Sequence, residues 1–237
     1  MRWLTCLVPL AVLAGCAIHD PAYVPAGAPA AIAAAQVKVG DFWEYSVRDG
    51  YTDLPRGVYR YEVSGVDPER VVVEVLHEGQ RIDTRIYAAG WNGLEHPLTN
   101  LQRFSYRPAF PSYAYPLAPR KSWYTVVAAT DPATGRTYKV HTKGKVLGWE
   151  RIQVPAGEFD ALKIQRYVFA GNDEGFKLQE EIAETDWYVP AVRRAVRTHA
   201  RSEHFDTSRG GGDEGGEYPL RVRGDWLIAE LIRYSGR

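Results

Sequence analysis

The feature that most constrains the fold is a run of alternating segments between Gly144 and Val196. Two tight corners interrupt this run, at Val154-Pro155-Ala156-Gly157 and at Val189-Pro190-Ala191. Residues typical of strands fill the segments on either side, and short connections of this kind join antiparallel neighbours. We therefore predict that this part of the chain is antiparallel sheet.

Alternation of the same kind begins near residue 41. In Asp41–Arg48, the residues Trp43, Tyr45 and Val47 fall on one face and polar residues fall on the other, which is typical of a half-buried strand. Three further segments follow after short turns: Gly57–Val66, Arg70–His77 and Arg81–Ala88. Four strands joined in this way are predicted to form an antiparallel meander.

Prolines and aromatic residues dominate the next part, Trp91–Pro119. A central strand does not tolerate so many prolines. We therefore predict one short strand at Leu101–Tyr106 and then an ordered loop. The aromatic, proline-rich segment as a whole, called the aromatic loop, is Phe104–Pro119. Aromatic side chains combine apolar area with a polar tip, which suits contact with a ligand. The candidate ligand contacts are Phe104, Tyr106, Phe110, Tyr113, Tyr115 and Trp123. The alternative is that this loop fills the core.

The remaining segments again have the pattern of strands: Ser122–Ala129, Arg136–Val154 with a bend at Gly144 or Gly148, Glu158–Ala170, Phe176–Val189, Arg193–Phe205 and Asp225–Tyr234. A helix at Ala229–Arg233 is the alternative for part of the last segment, and Thr207–Gly216 is predicted to be a flexible loop. About eleven to twelve strands with little helix are too many for one flat sheet. We therefore predict an all-β fold, a single antiparallel, strongly curved sheet that forms a half-open barrel or a sandwich.

The first sixteen residues have the pattern of an export signal that ends in a lipidation site. Arg2 precedes the short apolar run Trp3–Leu13, and small residues follow. Leu13-Ala14-Gly15-Cys16 resembles the bacterial lipoprotein box, in which the cysteine receives a diacylglycerol and becomes the N-terminus after cleavage. The predicted organisation is a signal peptide at 1–15, a lipidated Cys16 with an Ala/Pro-rich linker at 16–36, and a β-rich domain at 37–237.

The lipidated cysteine also predicts a location. Two or more acyl chains hold a protein stably on a membrane, so Cys16 is predicted to anchor the domain in the bacterial cell envelope. Ala17 follows it, rather than the aspartate that often retains lipoproteins in the inner membrane, which favours the outer membrane facing the periplasm. Both cysteines, Cys6 and Cys16, lie in this N-terminal part, so the body has no disulfide and no thiolate site.

Several motifs occur together in the body: Val39–Tyr45, Pro116-Leu117, Ser122-Trp123, Val154–Ile164 and Asp186–Pro190. Together they resemble the TapB-like exported bacterial β-proteins, a family whose domain has no assigned function, over roughly Val39–Tyr234. The resemblance implies an envelope location and a β-rich fold, and it implies no catalytic residues. Relatives usually have glycine shortly after the second corner, where this chain has Arg193-Arg194, so that corner is expected to be built differently.

The ionisable residues of the body favour structural roles over chemistry. The chain has 29 basic and 29 acidic residues, which provides no cationic surplus for nucleic acid. The nucleophile elbow, the HExxH zinc motif and the phosphate-binding loop are absent from the sequence. His199 and Glu203 are separated by about 13 Å along one strand, which is too far for one metal ion. No catalytic residue, metal site or cofactor is predicted, and calcium binding by Asp213, Glu214 and Glu217 is the alternative to a plain loop.

Acidic and basic residues alternate on two neighbouring segments. Even spacings separate Glu180, Glu184 and Asp186, so their side chains lie on one face of a strand. On the next segment the same holds for Arg197, His199 and Arg201. A turn at Pro190–Val192 is expected to pair Asp186 with Arg197 and Glu184 with His199. These residues are interpreted as a solvated face with cross-strand ion pairs, rather than as a carboxylate pair for glycoside hydrolysis.

Three functions are compatible with these patterns. The first is a non-enzymatic, lipid-anchored envelope protein that binds a ligand or an envelope protein or has a structural role. The second is a carrier of an apolar ligand or lipid, and the third is an envelope hydrolase whose site the sequence does not reveal. A deep cavity under the aromatic loop favours the carrier, convergent carboxylates favour the hydrolase, and a filled core favours the structural or partner-binding role.

Overall fold

The computed structural model describes residues 23–98, 103–171, 179–206 and 220–235. In these ranges it contains one short 3₁₀ turn, Ala89–Trp91, and twelve strands. The strands are β1 (Phe42–Asp49), β2 (Pro55–Val66), β3 (Val71–His77), β4 (Gln80–Tyr87), β5 (Gly93–Pro97), β6 (Arg103–Phe110), β7 (Ser122–Thr130), β8 (Thr137–Val154), β9 (Gly157–Gly171), β10 (Gln179–Val189), β11 (Arg194–Asp206) and β12 (Leu220–Tyr234).

The strands form a closed barrel in which each one pairs antiparallel with its neighbours in the sequence. β12 completes the circle by pairing with β1, with Trp43 opposite Tyr234. The all-β prediction of one strongly curved antiparallel sheet is therefore confirmed, and the curvature continues until the sheet has no free edge. Residues 229–233 belong to β12, so the alternative of a helix there is wrong.

The predicted bend in the longest strand is confirmed at one of its two glycines. β8 has 18 residues, and its register with β9 shifts between Val146 and Gly148. Gly148 has a φ of 150°, which side chains rarely adopt, so glycine supplies the irregularity that bends the strand. The corner at Val154–Gly157 is a tight hairpin, as the sequence predicts.

The middle of the chain differs from the prediction, because β6 extends from Arg103 to Phe110. Phe104, Tyr106 and Phe110 therefore lie in a strand, and the loop proper occupies residues 111–121. β6 pairs with β7 only at Ser105–Arg107. Pro108 follows the last of these pairs, so its missing N–H removes no hydrogen bond from that ladder.

The inner face of the barrel holds the core. Trp43, Leu117, Tyr188 and Leu231 are fully buried members of the larger of two apolar clusters. Leu117, from the loop after β6, exchanges two backbone hydrogen bonds of 2.8 Å with Ile32. The loop after β6 and the N-terminal segment therefore pack together. Part of the segment predicted to be a linker, at 16–36, thus contacts the barrel domain.

Several predicted features lie outside the described residues. They include the signal peptide, Cys6, Cys16, Ala17, and the Thr207–Gly216 loop with its calcium alternative. Within the ranges that are described, no helix has the length and apolarity needed to span a membrane.

Candidate functional site

The barrel contains a cavity of about 330 Å³. Its lining comes from the inward faces of strands around most of the circumference, from β1 and β2 to β12. Along β11 the lining runs from Arg194 to Ser202, nine residues whose ends are about 26 Å apart. A cavity of this size falls in the range of small-molecule sites, and its length makes it narrow.

Buried ions form the centre of the lining. Arg166 on β9 is 5% exposed, and its guanidinium lies 2.8 Å from a carboxylate oxygen of Asp186 and 2.9 Å from one of Glu184. Tyr113 and Thr198 also donate hydrogen bonds to Asp186, at 2.6 and 2.9 Å. Burial alone lowers the pKa of Arg166, but Asp186 and Glu184 raise it well above its ordinary value. Three side chains thus converge on the Asp186 carboxylate.

This network corrects the prediction of a solvated, charge-laced face. Asp186 pairs with Thr198 rather than Arg197, and Glu184 pairs with Ala200 rather than His199. Both carboxylates face the cavity. Arg197 binds Glu230, and His199 packs against Trp187. The acidic and basic residues therefore lie on opposite faces of the sheet, and the predicted cross-strand ion pairs do not form.

A second arginine, Arg194 at the start of β11, lines one end of the cavity. Its guanidinium carbon lies 4.5 Å from the ring centre of Tyr61, 4.6 Å from that of Trp91 and 5.4 Å from that of Trp43. Its Nη1 is buried without a hydrogen-bond partner. No carboxylate of the described residues forms an ion pair with Arg194, so its charge is surrounded by aromatic faces.

The corner that presents Arg194 is built around a left-handed residue. Arg193 has a φ of 65°, the conformation that glycine adopts easily, so the corner keeps a glycine-like geometry with arginine in that place. Two indole N–H groups fix it: Trp43 donates to Val192 O at 2.8 Å and Trp91 donates to Arg193 O at 2.6 Å. The Arg193 guanidinium binds Asp41 at 2.6 Å, while Arg194 lies in the cavity lining.

His96 contributes an uncharged polar group to the lining. Burial lowers its pKa to about 4, so the imidazole is neutral at pH 7. Its Nδ1 lies 2.6 Å from Pro97 O, and its Nε2 is buried without a partner. His96 packs among aromatic rings, with the ring centres of Tyr106 4.8 Å and Phe110 5.5 Å away.

The structure separates the six aromatic residues predicted to contact a ligand. Phe110 and Tyr113 line the cavity. Phe104 and Tyr106 are buried in the smaller apolar cluster. Tyr115 packs beside Tyr113 and Tyr188, and Trp123 covers the backbone of Gly144.

Sequence reasoning missed the ionic lining, although the sequence contains a signal for it. Arg166 lies on the same face of β9 as Leu162, Ile164 and Val168, which are buried and apolar. A charged residue at a position on the buried face of a strand indicates an internal ion pair. Among the described residues, no group of three His, Cys, Asp or Glu side chains is arranged to hold a metal ion.

The chain matches no protein-family model and no curated protein in sequence. Solved structures with a similar fold include the following three. A predicted lipoprotein of Parabacteroides distasonis ATCC 8503 is 16% identical with a TM-score of 0.49, covering 84% of this chain and 96% of its own. An exported protein with a YmcC-like fold from Bacteroides fragilis NCTC 9343 is 10% identical with a TM-score of 0.46, covering 86% of this chain and 100% of its own. The hypothetical lipoprotein YmcC of Escherichia coli K12 is 9% identical with a TM-score of 0.41, covering 82% and 84%.

Proposed function

We propose that this protein is a lipid-anchored component of the bacterial cell envelope whose barrel binds a small, elongated molecule and catalyses no reaction on it. The observation that carries this proposal is the barrel cavity of about 330 Å³. Apolar side chains such as Val47, Val168, Ile182 and Leu227 share its lining with the buried ions. A pocket with an apolar wall and a few convergent polar groups is typical of ligand binding.

The hydrolase alternative receives less support from the same geometry. Two carboxylates, Glu184 and Asp186, do converge in the cavity lining, but both bind Arg166 at 2.8–2.9 Å. Ion pairs with one shared arginine occupy both carboxylates, which suits a structural or ligand-positioning role.

Ligand binding is tested with the chain from residue 16, carrying Cys16→Ala so that it is soluble without lipid. Native mass spectrometry is expected to show a non-covalent small molecule after gentle purification, and denaturation should release it. Ala200→Phe places a large side chain in the cavity lining and is expected to abolish this adduct. Ala183→Phe, on the exposed face of the neighbouring strand β10, is the matched control. Retention of the adduct by Ala200→Phe, or no adduct in the unsubstituted barrel, contradicts the proposal.

The anchor at Cys16 and the outer-membrane location are part of the proposal, as is membership of the TapB-like proteins, which rests on the motifs named above. In the full chain with its signal, Cys16→Ala is expected to move the protein from the membrane fraction to the soluble periplasmic fraction, because the acyl chains are lost. Cell fractionation and density-gradient separation of the two membranes measure this. Undiminished membrane association of the variant contradicts lipidation at Cys16.

A further inference from the structure

Three arginines line the cavity, and they differ in how their charges are compensated. Arg85 binds Asp83 at 3.0 Å, and Arg166 binds Asp186 and Glu184. Arg194 has no ion pair with any of the described residues, and its Nη1 donates no hydrogen bond. An arginine keeps its charge at any physiological pH, so this cation needs an electrostatic partner.

The aromatic faces around Arg194 position it without neutralising it. Rings of Trp43, Tyr61 and Trp91 lie within 5.4 Å of its guanidinium carbon. A cation–π contact attracts the cation but provides no countercharge and no hydrogen-bond acceptor. The cage therefore fixes the direction of the guanidinium and leaves its charge available to a bound anion.

Backbone strain supports a specific role for this cage. Trp91 has a φ of 70°, which is an outlier for a bulky residue, and Arg193 beside Arg194 has a φ of 65°. The two strained residues are joined by the 2.6 Å hydrogen bond from Trp91 Nε1 to Arg193 O. Strained residues of this kind concentrate at ligand-binding sites, where the surrounding structure holds them.

Charge is distributed unevenly along the cavity. Arg194 lies at one end of the β11 lining, and Asp225 lies beside Ser202 at the other end, about 26 Å away along the strand. Burial and then Asp225 raise the pKa of Glu180, which places these two acids near each other. Glu184 and Asp186, between the ends, are already bound to Arg166. The available positive charge is therefore at the Arg194 end.

We propose that Arg194 binds the carboxylate of an amphipathic ligand whose unbranched apolar chain extends along the barrel cavity. This inference rests on the proposed ligand-binding function. A guanidinium fork matches a carboxylate, and the narrow cavity with apolar side chains suits one extended alkyl chain. A single compensating charge favours a monoanion over a dianion, because Glu184 and Asp186 also line the cavity.

The probes are decanoate, decan-1-ol and decylammonium, which share a chain length and differ in charge. They are titrated by equilibrium dialysis against the soluble barrel, the chain from residue 16 with Cys16→Ala, after removal of any co-purified ligand. Decanoate is expected to bind about tenfold or more tightly than decan-1-ol, because a charge-assisted hydrogen bond forms only with the anion. Decylammonium is expected to bind most weakly.

Arg194→Met is the test of the residue. It removes the charge and keeps a long side chain, and replacing a buried ion with an apolar group is compatible with folding. The variant is expected to bind decanoate only as well as decan-1-ol, with its decan-1-ol affinity unchanged. Arg201→Met, on the outer face of the same strand, is the matched control and should retain the preference for decanoate.

The outcomes distinguish this inference from the function on which it rests. Equal affinities for decanoate and decan-1-ol in the unsubstituted barrel overturn the role of Arg194 and leave ligand binding standing. An equal loss of both affinities in Arg194→Met indicates a structural arginine and also overturns it. If none of the three probes binds, and Ala200→Phe behaves like the unsubstituted protein, then both the inference and the proposed function fail.

Discussion

Arg193 occupies a backbone conformation that favours glycine, and its side chain compensates for the strain. Its φ is 65°, and its guanidinium contacts both carboxylate oxygens of Asp41 at 2.6 and 3.2 Å. The side chain of Asp41 is 2% exposed. Burial acts to raise the pKa of Asp41, but the Lys38 N–H and Arg193 lower it overall. The arginine at this corner therefore stabilises a buried carboxylate.

Arg193→Gly is expected to destabilise the barrel by about 1–2 kcal/mol. Relief of a left-handed φ contributes roughly 1–2 kcal/mol of stability, whereas leaving one partner of a buried pair alone costs about 3–5 kcal/mol. Asp41 keeps hydrogen bonds from Lys38 N–H and the Ser235 hydroxyl, and Arg193 is partly exposed. We therefore take the lower end of the range of about 3–5 kcal/mol for the lost pair, and the relief of strain offsets part of it. Chemical denaturation measures the difference in the free energy of unfolding.

Asp53→Gly is the matched control for this prediction. Asp53 has a φ of 61°, and its ion pair with Arg48 is exposed, with 78% of the Asp53 side chain accessible. An exposed pair contributes about 0–1 kcal/mol, so relief of strain should leave this variant as stable as the unsubstituted protein or more stable. An Arg193→Gly protein that matches Asp53→Gly in stability would show that the Asp41 pair contributes little.

At the scale of elements, alternation predicts strands well because the side-chain period of a strand does not depend on its partner. The prediction that Trp43, Tyr45 and Val47 lie on one face of β1 is confirmed, since all three are buried. The meander β1–β4 and the bend at Gly148 also follow from local sequence. These features are decided by residues that are close in the chain.

Register is decided by contacts that the local pattern does not contain. Next to the corner, Val189 pairs with Arg194 and Tyr188 with Ala195, which agrees with the predicted turn. A bulge then shifts the register, and Trp187 pairs with Arg197. A shift of one residue moves the partner side chains to the other face of the sheet. The bulge places Thr198 rather than Arg197 opposite Asp186, and a single sequence carries no clear signal for it.

For the whole molecule, closure of the barrel converts separate strand faces into one interior. The sequence predicts a curved sheet, but closure also requires β12 to reach β1 across the length of the chain. Glu44 on β1 binds Arg233 on β12 at 2.8 Å, and Phe42 N–H donates to the Ser235 hydroxyl at 2.9 Å. The candidate site could not be predicted residue by residue, because its lining is assembled from strands that closure brings together.

The stability of the whole molecule depends on pH through His96, which lies in the cavity lining of the barrel. The pKa of His96 falls from an ordinary 6.5 to about 4 because the imidazole is buried. Above pH 6.5 the residue is neutral in folded and unfolded chains, so it has no effect. Between pH 6.5 and 4 only the unfolded chain binds the proton, so stability is lost as the pH falls through this window. The shift corresponds to about 3 kcal/mol.

His96→Phe is expected to reduce the slope of unfolding free energy against pH between pH 6.5 and 4, because it removes the group that titrates only in the unfolded chain. Denaturant titrations at several pH values measure the slope. The pKa of His199 is lowered mainly by burial and that of Glu180 is raised mainly by burial, and both groups are present in the two proteins. The difference between the two curves therefore isolates His96, whatever the packing cost at any one pH. An unaltered slope in His96→Phe would show that His96 takes up its proton in the folded barrel.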